Sequence, residues 1–321
     1  MPLADIAFTD LYINSAGDQP FLKLSTEGPI APIPPEMMEE VQKLLVMMTT
    51  KLGDKREFSL TWGGVTYRVA KIEALDGIWF TLRRGPSRVP RVDELGMHPM
   101  LMNELVQLGK KQGLLVVCGK TGAGKTWTAA SVFKSWMEFH GDVGVTIEDP
   151  PELPLNGWNG KGRCFQIMVP EKEFGSALVA SMRYTPRYIM LGEIRSPAAA
   201  REALRASING HVVITTLHAG SVEEALHRIV DLACGEEGGN RSSIQTMLSE
   251  GIAGVLHQKL VDSGNNRRLD IRFMFPAFVS GDPMRALIRD GKVEQLGTCI
   301  EAQTVKMFNR GKMALLQQDV S

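Results

Sequence analysis

Gly119-Lys-Thr-Gly-Ala-Gly-Lys-Thr126 fits the pattern G-x-x-x-x-G-K-[ST] at every fixed position. The apolar run Leu114-Leu-Val-Val117 precedes it and the helix-compatible stretch Trp127 to Ser135 follows. That is the context a phosphate-binding loop needs, a buried strand before it and a helix after it. Glycines let backbone N–H groups turn inward around phosphate oxygens, and the helix adds its positive N-terminal end. Lys125 offers a point charge, and the Thr126 hydroxyl can ligate Mg²⁺. Gly119, Lys120, Thr121, Gly122, Ala123, Gly124, Lys125 and Thr126 are therefore the expected nucleotide-binding residues. Such a loop leaves kinase, GTPase, helicase and motor open. No Asn is followed by Lys, so the N-K-x-D base reader usual in GTPases is missing from the sequence.

Val143-Gly-Val-Thr-Ile-Glu-Asp-Pro-Pro-Glu152 reads as a strand ending in three acids around a proline pair. Strand C-termini beside a phosphate loop face the γ-phosphate. An acid there can orient or deprotonate the attacking water, or hold hydrated Mg²⁺; the plainer alternative is a solvated acidic turn. Tyr188-Ile-Met-Leu-Gly-Glu193 is a second apolar strand ending in an acid, followed by Arg195, the form of a Walker B segment with Glu in place of Asp. Gly210-His211-Val-Val-Ile-Thr-Thr-Leu-His218 frames a third strand with histidines. No cysteines or carboxylates stand nearby at metal-ligand spacing. An imidazole at such a strand end is either a structural group or a donor to the γ-phosphate.

Further from the loop, the chain divides. Residues 1–84 read as a small α+β unit. Asp10 to Asn14, Phe21 to Leu24, Phe58 to Leu60, Val65 to Val69 and Ile78 to Leu82 are strand-like, and Met37, Met38, Val41, Leu44, Leu45 and Met48 recur at helical spacing. That stripe reads as core rather than a docking surface. Pro32, Pro34 and Pro35 stiffen the approach to the helix. Gly85-Pro-Ser-Arg-Val-Pro90 opens a semi-rigid linker over 85–98. Residues 99–276 alternate helix and strand, the rhythm of a largely parallel, helix-flanked α/β sheet. Residues 277–321 read as mostly helical.

Bulk properties exclude several classes. Lys plus Arg equals Asp plus Glu at 36 each, so no net field draws the chain to nucleic acid or anionic lipid. Cys118, Cys164, Cys234 and Cys299 lie far apart, which argues against a disulfide framework and suits a reducing cytosol. Apolar runs stop far short of the ~20 residues of a membrane helix, and no basic segment opens a signal peptide. The expected location is cytoplasmic, with membrane work done through a partner.

In order, these blocks resemble the type II/IV secretion (traffic) ATPase superfamily, most of all its PilT-like branch. Thr146 to Glu152 resembles its Asp box, Leu191 to Arg195 its Walker B and Gly210 to Gly220 its His box. Asp10-Leu-Tyr-Ile13, Tyr67-Arg-Val69, Asp93 to Met97 and Met284 to Arg289 resemble further PilT-type segments. The resemblance implies a RecA-like P-loop ATPase domain after a small PAS-like α+β domain. It implies ATP and Mg²⁺, with Thr126 and Glu193 at the metal. Glu152 would be the catalytic base, Glu193 the Walker B glutamate, and His211 and His218 the His-box pair. Arg68 and Arg83, which otherwise read as surface arginines, would approach the γ-phosphate across a domain or subunit boundary. A homohexamer acting on an inner-membrane platform protein is implied, and type IV pilus retraction is the expected task. Two features lean instead towards the conjugative and Dot/Icm-type branch, which exports DNA or protein: Glu148 to Leu153, and Leu217-His-Ala-Gly-Ser221. Leu153 to Val169, with Gly157, Trp158, Gly160 and Gly162, departs from the PilT pattern. A nucleic-acid translocase is the third reading, and the balanced charge weighs against it.

Overall fold

Leu11 and Ile13 are fully buried while Tyr12 between them is not, the period-two pattern of a strand with one face on a core. The same alternation recurs through the first part of the computed structural model, which describes residues 3–25, 27–52, 56–235, 240–263 and 266–318. The outer limits of the first and last expected segments, 1–2 and 319–321, lie outside the described residues. The chain forms two compact units, Met1–Val89 with Pro150–Pro154, and Pro90–Asp149 with Leu155–Ser321.

The first unit is an antiparallel sheet backed by one long helix. Its strands are β1 (Asp10–Asn14), β2 (Phe21–Lys23), β3 (Ile30–Pro32), β4 (Glu57–Trp62), β5 (Val65–Ala74) and β6 (Gly77–Arg84), and its helix is α1 (Met38–Leu52). The strand order is β3-β2-β1-β6-β5-β4. Phe58, Leu60, Tyr67, Val69, Phe80 and Leu82 join Leu11 and Ile13 in the core, and Met37, Val41, Leu44, Leu45 and Met48 are buried with them. The methionine stripe is thus core. Trp62 Nε1 donates to Glu40 Oε1 at 2.6 Å, tying the end of β4 to α1. The opposite sheet face carries Asp10, Ser59, Arg68 and Arg83, aligned across four strands by register. The strand β3 was not expected from its proline. It lies at the sheet edge, where a missing N–H removes no internal ladder bond.

The second unit contains α2 (Pro99–Leu108), β7 (Gly113–Cys118), α3 (Lys125–His140), β8 (Asp142–Glu148), β9 (Gly157–Asn159), β10 (Gly162–Met168), α4 (Phe174–Ser181), β11 (Tyr188–Glu193), α5 (Pro197–Ile208) and β12 (Val212–Leu217). After these come α6 (Val222–Cys234), α7 (Arg241–Gly251), β13 (Ile252–Ser263), β14 (Asn266–Met274), α8 (Pro283–Arg289) and α9 (Leu296–Gln318). The strand order is β14-β13-β7-β12-β11-β8-β10-β9. Neighbours from β13 to β10 are parallel, and β14 and β9 pair antiparallel at the two edges. Every residue of β7 and β12 is buried, as a parallel sheet covered on both faces demands. Leu114, Val116, Ile189, Leu191 and Val213 pack into one cluster with the buried faces of α4 to α8. The helix α3 meets β7, β8, β10, β11 and β12. Trp136 on α3 is fully buried and donates its indole N–H to Leu105 O at 2.7 Å, fixing α2 to α3. Met284 and Ile288 form the buried side of the short amphipathic α8. Among the described residues no helix is long and apolar enough to cross a membrane.

Candidate active site

The phosphate loop leaves the buried end of β7 and enters α3 at Lys125. Gly119 cannot carry a side chain, because a Cβ there would lie 2.5 Å from the carbonyl oxygen of Gln258. Gly122 and Gly124 have φ of +78° and +81°, while Ala123 between them is not among the positive-φ residues. This alternation makes a concave nest of N–H groups, which binds anions. The residues thus fit a nucleotide's phosphates. Lys125 sits half-buried on the first turn of α3, with Nζ donating to Lys120 O at 3.1 Å. Burial lowers its pKa, and the Glu193 carboxylate acts in the opposite direction. Thr126 follows on the same turn, half-buried. Burial also pushes the Cys118 thiol up to about 12, so this cysteine at the loop's root is no nucleophile.

The parallel register brings several chemical groups to the same sheet edge. Leu217 pairs with Cys118 and Thr216 with Glu193, so His218, Glu193 and the loop share the C-terminal edge of the strands. The Glu193 carboxylate takes a hydrogen bond from Arg195 Nη2 at 2.7 Å, and Arg195 Nη1 reaches Glu171 at 3.0 Å. Thr216 Oγ1 donates to Gly192 O at 2.7 Å, locking the turn at the end of β11. Glu148 ends β8 on the same edge, but it is buried and accepts from Gln166 Nε2 at 2.8 Å. His218 is exposed.

His211 is not brought to this edge. It precedes β12, with its Nδ1 2.7 Å from Pro186 O. A six-residue strand separates it from the loop end of the sheet, about 20 Å at strand rise. A histidine pair flanking one strand looks like one site in the sequence, yet an extended strand carries its two ends apart. Within its own sheet His211 therefore does not share the edge that carries the loop.

Glu152 lies apart from the strand that leads to it. The segment Pro150–Pro154 belongs to the first unit, whereas Asp149 stays with the second. Ser59 Oγ donates to Pro151 O at 3.4 Å, and a Cβ on Gly85 would lie 3.3 Å from Glu152 O. Ser59 is aligned with Arg68 and Arg83 on the outer face of the antiparallel sheet. The Glu152 segment thus packs on the face that carries both arginines. Arg68 pairs with Glu57 and Arg83 with Asp10, both at 2.9 Å. Among the described residues no cluster of His, Cys, Asp or Glu could by itself hold a metal ion. The donor set fits Mg²⁺ only as one hydroxyl and one carboxylate beside bound phosphates, its usual mode.

One contributor escaped the sequence reading. Gln258 on β13 is fully buried and its Nε2 donates to Ala123 O at 2.5 Å, from behind the loop. The available signal was an amide on the heels of the apolar Val255 and Leu256.

Fold and site define the class, a P-loop nucleotide-binding α/β protein. The chain belongs to the type II/IV secretion system protein family, whose model matches residues 10–315, and within it is a secretion ATPase of PilT type. It is 29% identical over 323 residues to the type IV pilus retraction ATPase PilT of Pseudomonas aeruginosa, covering 95% of this chain and 90% of that protein. It is 33% identical over 231 residues to the uncharacterised protein YggR of Escherichia coli, covering 70% of this chain and 66% of that one. The crystal structure of the pilus retraction motor PilT with bound ADP superposes with a TM-score of 0.74 at 27% identity, covering 93% of this chain and 87% of that chain. The ATPase DotB of Legionella pneumophila shares the fold, with a TM-score of 0.70 at 23% identity over 97% and 88% of the two chains.

Proposed function

We propose that this chain is an ATP-hydrolysing ring motor that powers type IV pilus retraction through a membrane platform protein. One observation carries the reading: an intact phosphate nest stands in a chain that matches a retraction ATPase along 95% of its length. In this reading residues 99–276 are a RecA-like core, 1–84 a PAS-like domain, 85–98 the linker and 277–321 a helical tail. Six copies form the ring, which sits at the cytoplasmic face of the inner membrane by holding its partner.

Each residue has a task. Lys125 and the inward N–H groups of residues 119–126 hold the phosphates. Thr126, and Glu193 through water, would hold Mg²⁺, which supplies charge neutralisation across the phosphates when bound. Glu152 orients the attacking water and takes its proton. His218 donates a hydrogen bond towards the γ-phosphate. Arg68 and Arg83 are supplied to the γ-phosphate of a neighbouring copy, so hydrolysis depends on assembly.

The test is phosphate release by the oligomeric protein with ATP and Mg²⁺. Glu152→Gln is expected to keep ATP binding and lose turnover. Protein that neither binds nor consumes ATP would overturn the reading, and full turnover by Glu152→Gln would overturn the role of the base. A second reading, a conjugative or type IVB secretion ATPase, is favoured by Leu217-His-Ala-Gly-Ser221 and Glu148 to Leu153. Deleting the gene separates the two. Excess surface pili supports retraction, and normal piliation with lost DNA or protein transfer supports secretion.

A further inference from the structure

Gln258 touches the phosphate loop at both ends. The strand β13 lies parallel beside β7 with His257 opposite Cys118, which sets Gln258 level with Gly119. Its carbonyl oxygen occupies the space a Gly119 Cβ would need, and its Nε2 lies 3.4 Å from where a Cβ on Gly124 would stand. That Nε2 donates to Ala123 O at 2.5 Å. In a trans peptide the C=O and the next N–H point in opposite directions. A donor that holds the Ala123 carbonyl from behind therefore turns the Gly124 N–H to the opposite side of that peptide.

Packing alone does not explain this amide. The side chain is fully buried, and its Oε1 has no hydrogen-bond partner among the described residues. A leucine or methionine would fill the volume and remove the orphan Oε1, but it would leave the Ala123 carbonyl without its donor. What the amide adds is the bond to the loop.

We propose that Gln258 is a positioning residue of the nucleotide site, presetting the Ala123–Gly124 peptide so that the Gly124 N–H faces a nucleoside di- or triphosphate. This rests on the reading above that the loop binds such a nucleotide. Preorganising a donor before the ligand arrives removes the ordering cost at binding.

The experiment measures the Kd for ADP and ATP of the full chain as wild type, Gln258→Leu and Gln258→Glu, from about pH 5.5 to 8.5. Gln258→Leu is expected to unfold near the wild-type temperature, since it removes the orphan Oε1 but orphans the Ala123 carbonyl. It is expected to bind about tenfold more weakly, ~1.4 kcal/mol. Its affinity should follow pH as the wild type's does. In Gln258→Glu, burial raises the carboxyl pKa. When protonated it donates to Ala123 O and binds nearly as wild type; ionised, it repels that carbonyl, so affinity falls as pH rises. The ionised carboxylate also repels the phosphates directly, so the deciding comparison is at acid pH, where both variants are uncharged and only the Gln258→Glu carboxyl can donate. There Gln258→Glu should bind more tightly than Gln258→Leu. Wild type that binds neither nucleotide overturns the nucleotide reading and this proposal with it. Wild type that binds while Gln258→Leu binds equally well overturns this proposal alone. Should Gln258→Leu fail to fold, Gln258→Met, equally uncharged and unable to donate, takes its place: weaker binding than the Gln258→Glu variant at acid pH supports the role, and equal binding overturns it.

Discussion

Arg68 and Arg83 stand directly opposite each other on the paired strands β5 and β6, side by side on the outer face of the sheet. Two like charges at this spacing repel, and the sheet answers with an acid for each, Glu57 and Asp10. The two pairs differ in burial. Glu57 is 54% exposed, whereas the side chain of Asp10 is only 5% exposed.

This difference separates the variants. Arg83→Ala leaves a buried carboxylate without its cation and is expected to cost about 1–3 kcal/mol in urea unfolding. Arg68→Ala removes an exposed pair worth about 0–1 kcal/mol. If the proposed trans role holds, Arg83→Ala should also lower turnover of the oligomeric protein by orders of magnitude with ATP binding largely intact. Normal hydrolysis by oligomeric Arg83→Ala protein would remove the proposed trans-arginine role.

Lys125→Ala should abolish nucleotide binding, and with it turnover, without harming the ligand-free fold. The amine is partly desolvated in the nest, and its bond within the protein is to Lys120 O, so its loss costs little when no phosphate is present. Thermal unfolding with and without ADP checks this. The wild type gains stability with ligand, and the variant should gain none at the same concentration. An equal ligand-induced shift in both would contradict the assigned role.

Arg285 is a clamp rather than a surface charge. Its Nε donates to Ala277 O at 2.7 Å, Nη1 to Ser249 O and to Glu250 O at 3.1 Å, and Nη2 to Ile252 O at 3.0 Å. The guanidinium also lies 4.4 Å from the Phe278 ring centroid. It satisfies carbonyls at the end of α7 that the helix leaves open. Arg285→Ala should cost about 2–3 kcal/mol, and Arg285→Lys should recover little, because an ammonium cannot reproduce the planar fork. Urea midpoints measure both, and a lysine variant as stable as wild type would refute the clamp.

His257 makes stability depend on pH. Its Nε2 is buried without a partner among the described residues. Burial chiefly, then Lys259 and Arg272, lowers its pKa from the ordinary 6.5, against opposing Asp270 and Glu223. The unfolded chain therefore binds the proton first. The stabilising contribution is complete above about pH 6.5 and is lost as pH falls through the lower folded value. His257→Gln should show a smaller loss of urea midpoint between about pH 7 and 5. An equal or larger loss would mean that His257 is not the acid-sensitive group.

Much of the second unit is legible in the sequence, because continuous apolar runs declare fully buried strands. Val212 to Leu217 reads as a strand and forms β12 over the same residues. The Leu114 run lies inside β7. What escaped was structure without such a run. The hairpin β9–β10 lies in Leu153 to Val169, where glycines and exposed Trp158 and Phe165 break the pattern. The full length of β13 escaped too, since its His257-Gln-Lys stretch interrupts the apolar signal.

The sequence by itself determined the phosphate nest. Glycine conformational freedom, an adjoining helix start and a lysine are local properties written in eight consecutive residues. Only the tertiary structure decided that Gln258 braces the nest from 135 positions away, that His211 stands at the end of its strand away from the loop, and that Glu152 packs with the arginine-bearing sheet. Those facts depend on strand register and on which surfaces bury each other. Both are settled by the whole chain's packing and not by any segment's own preference.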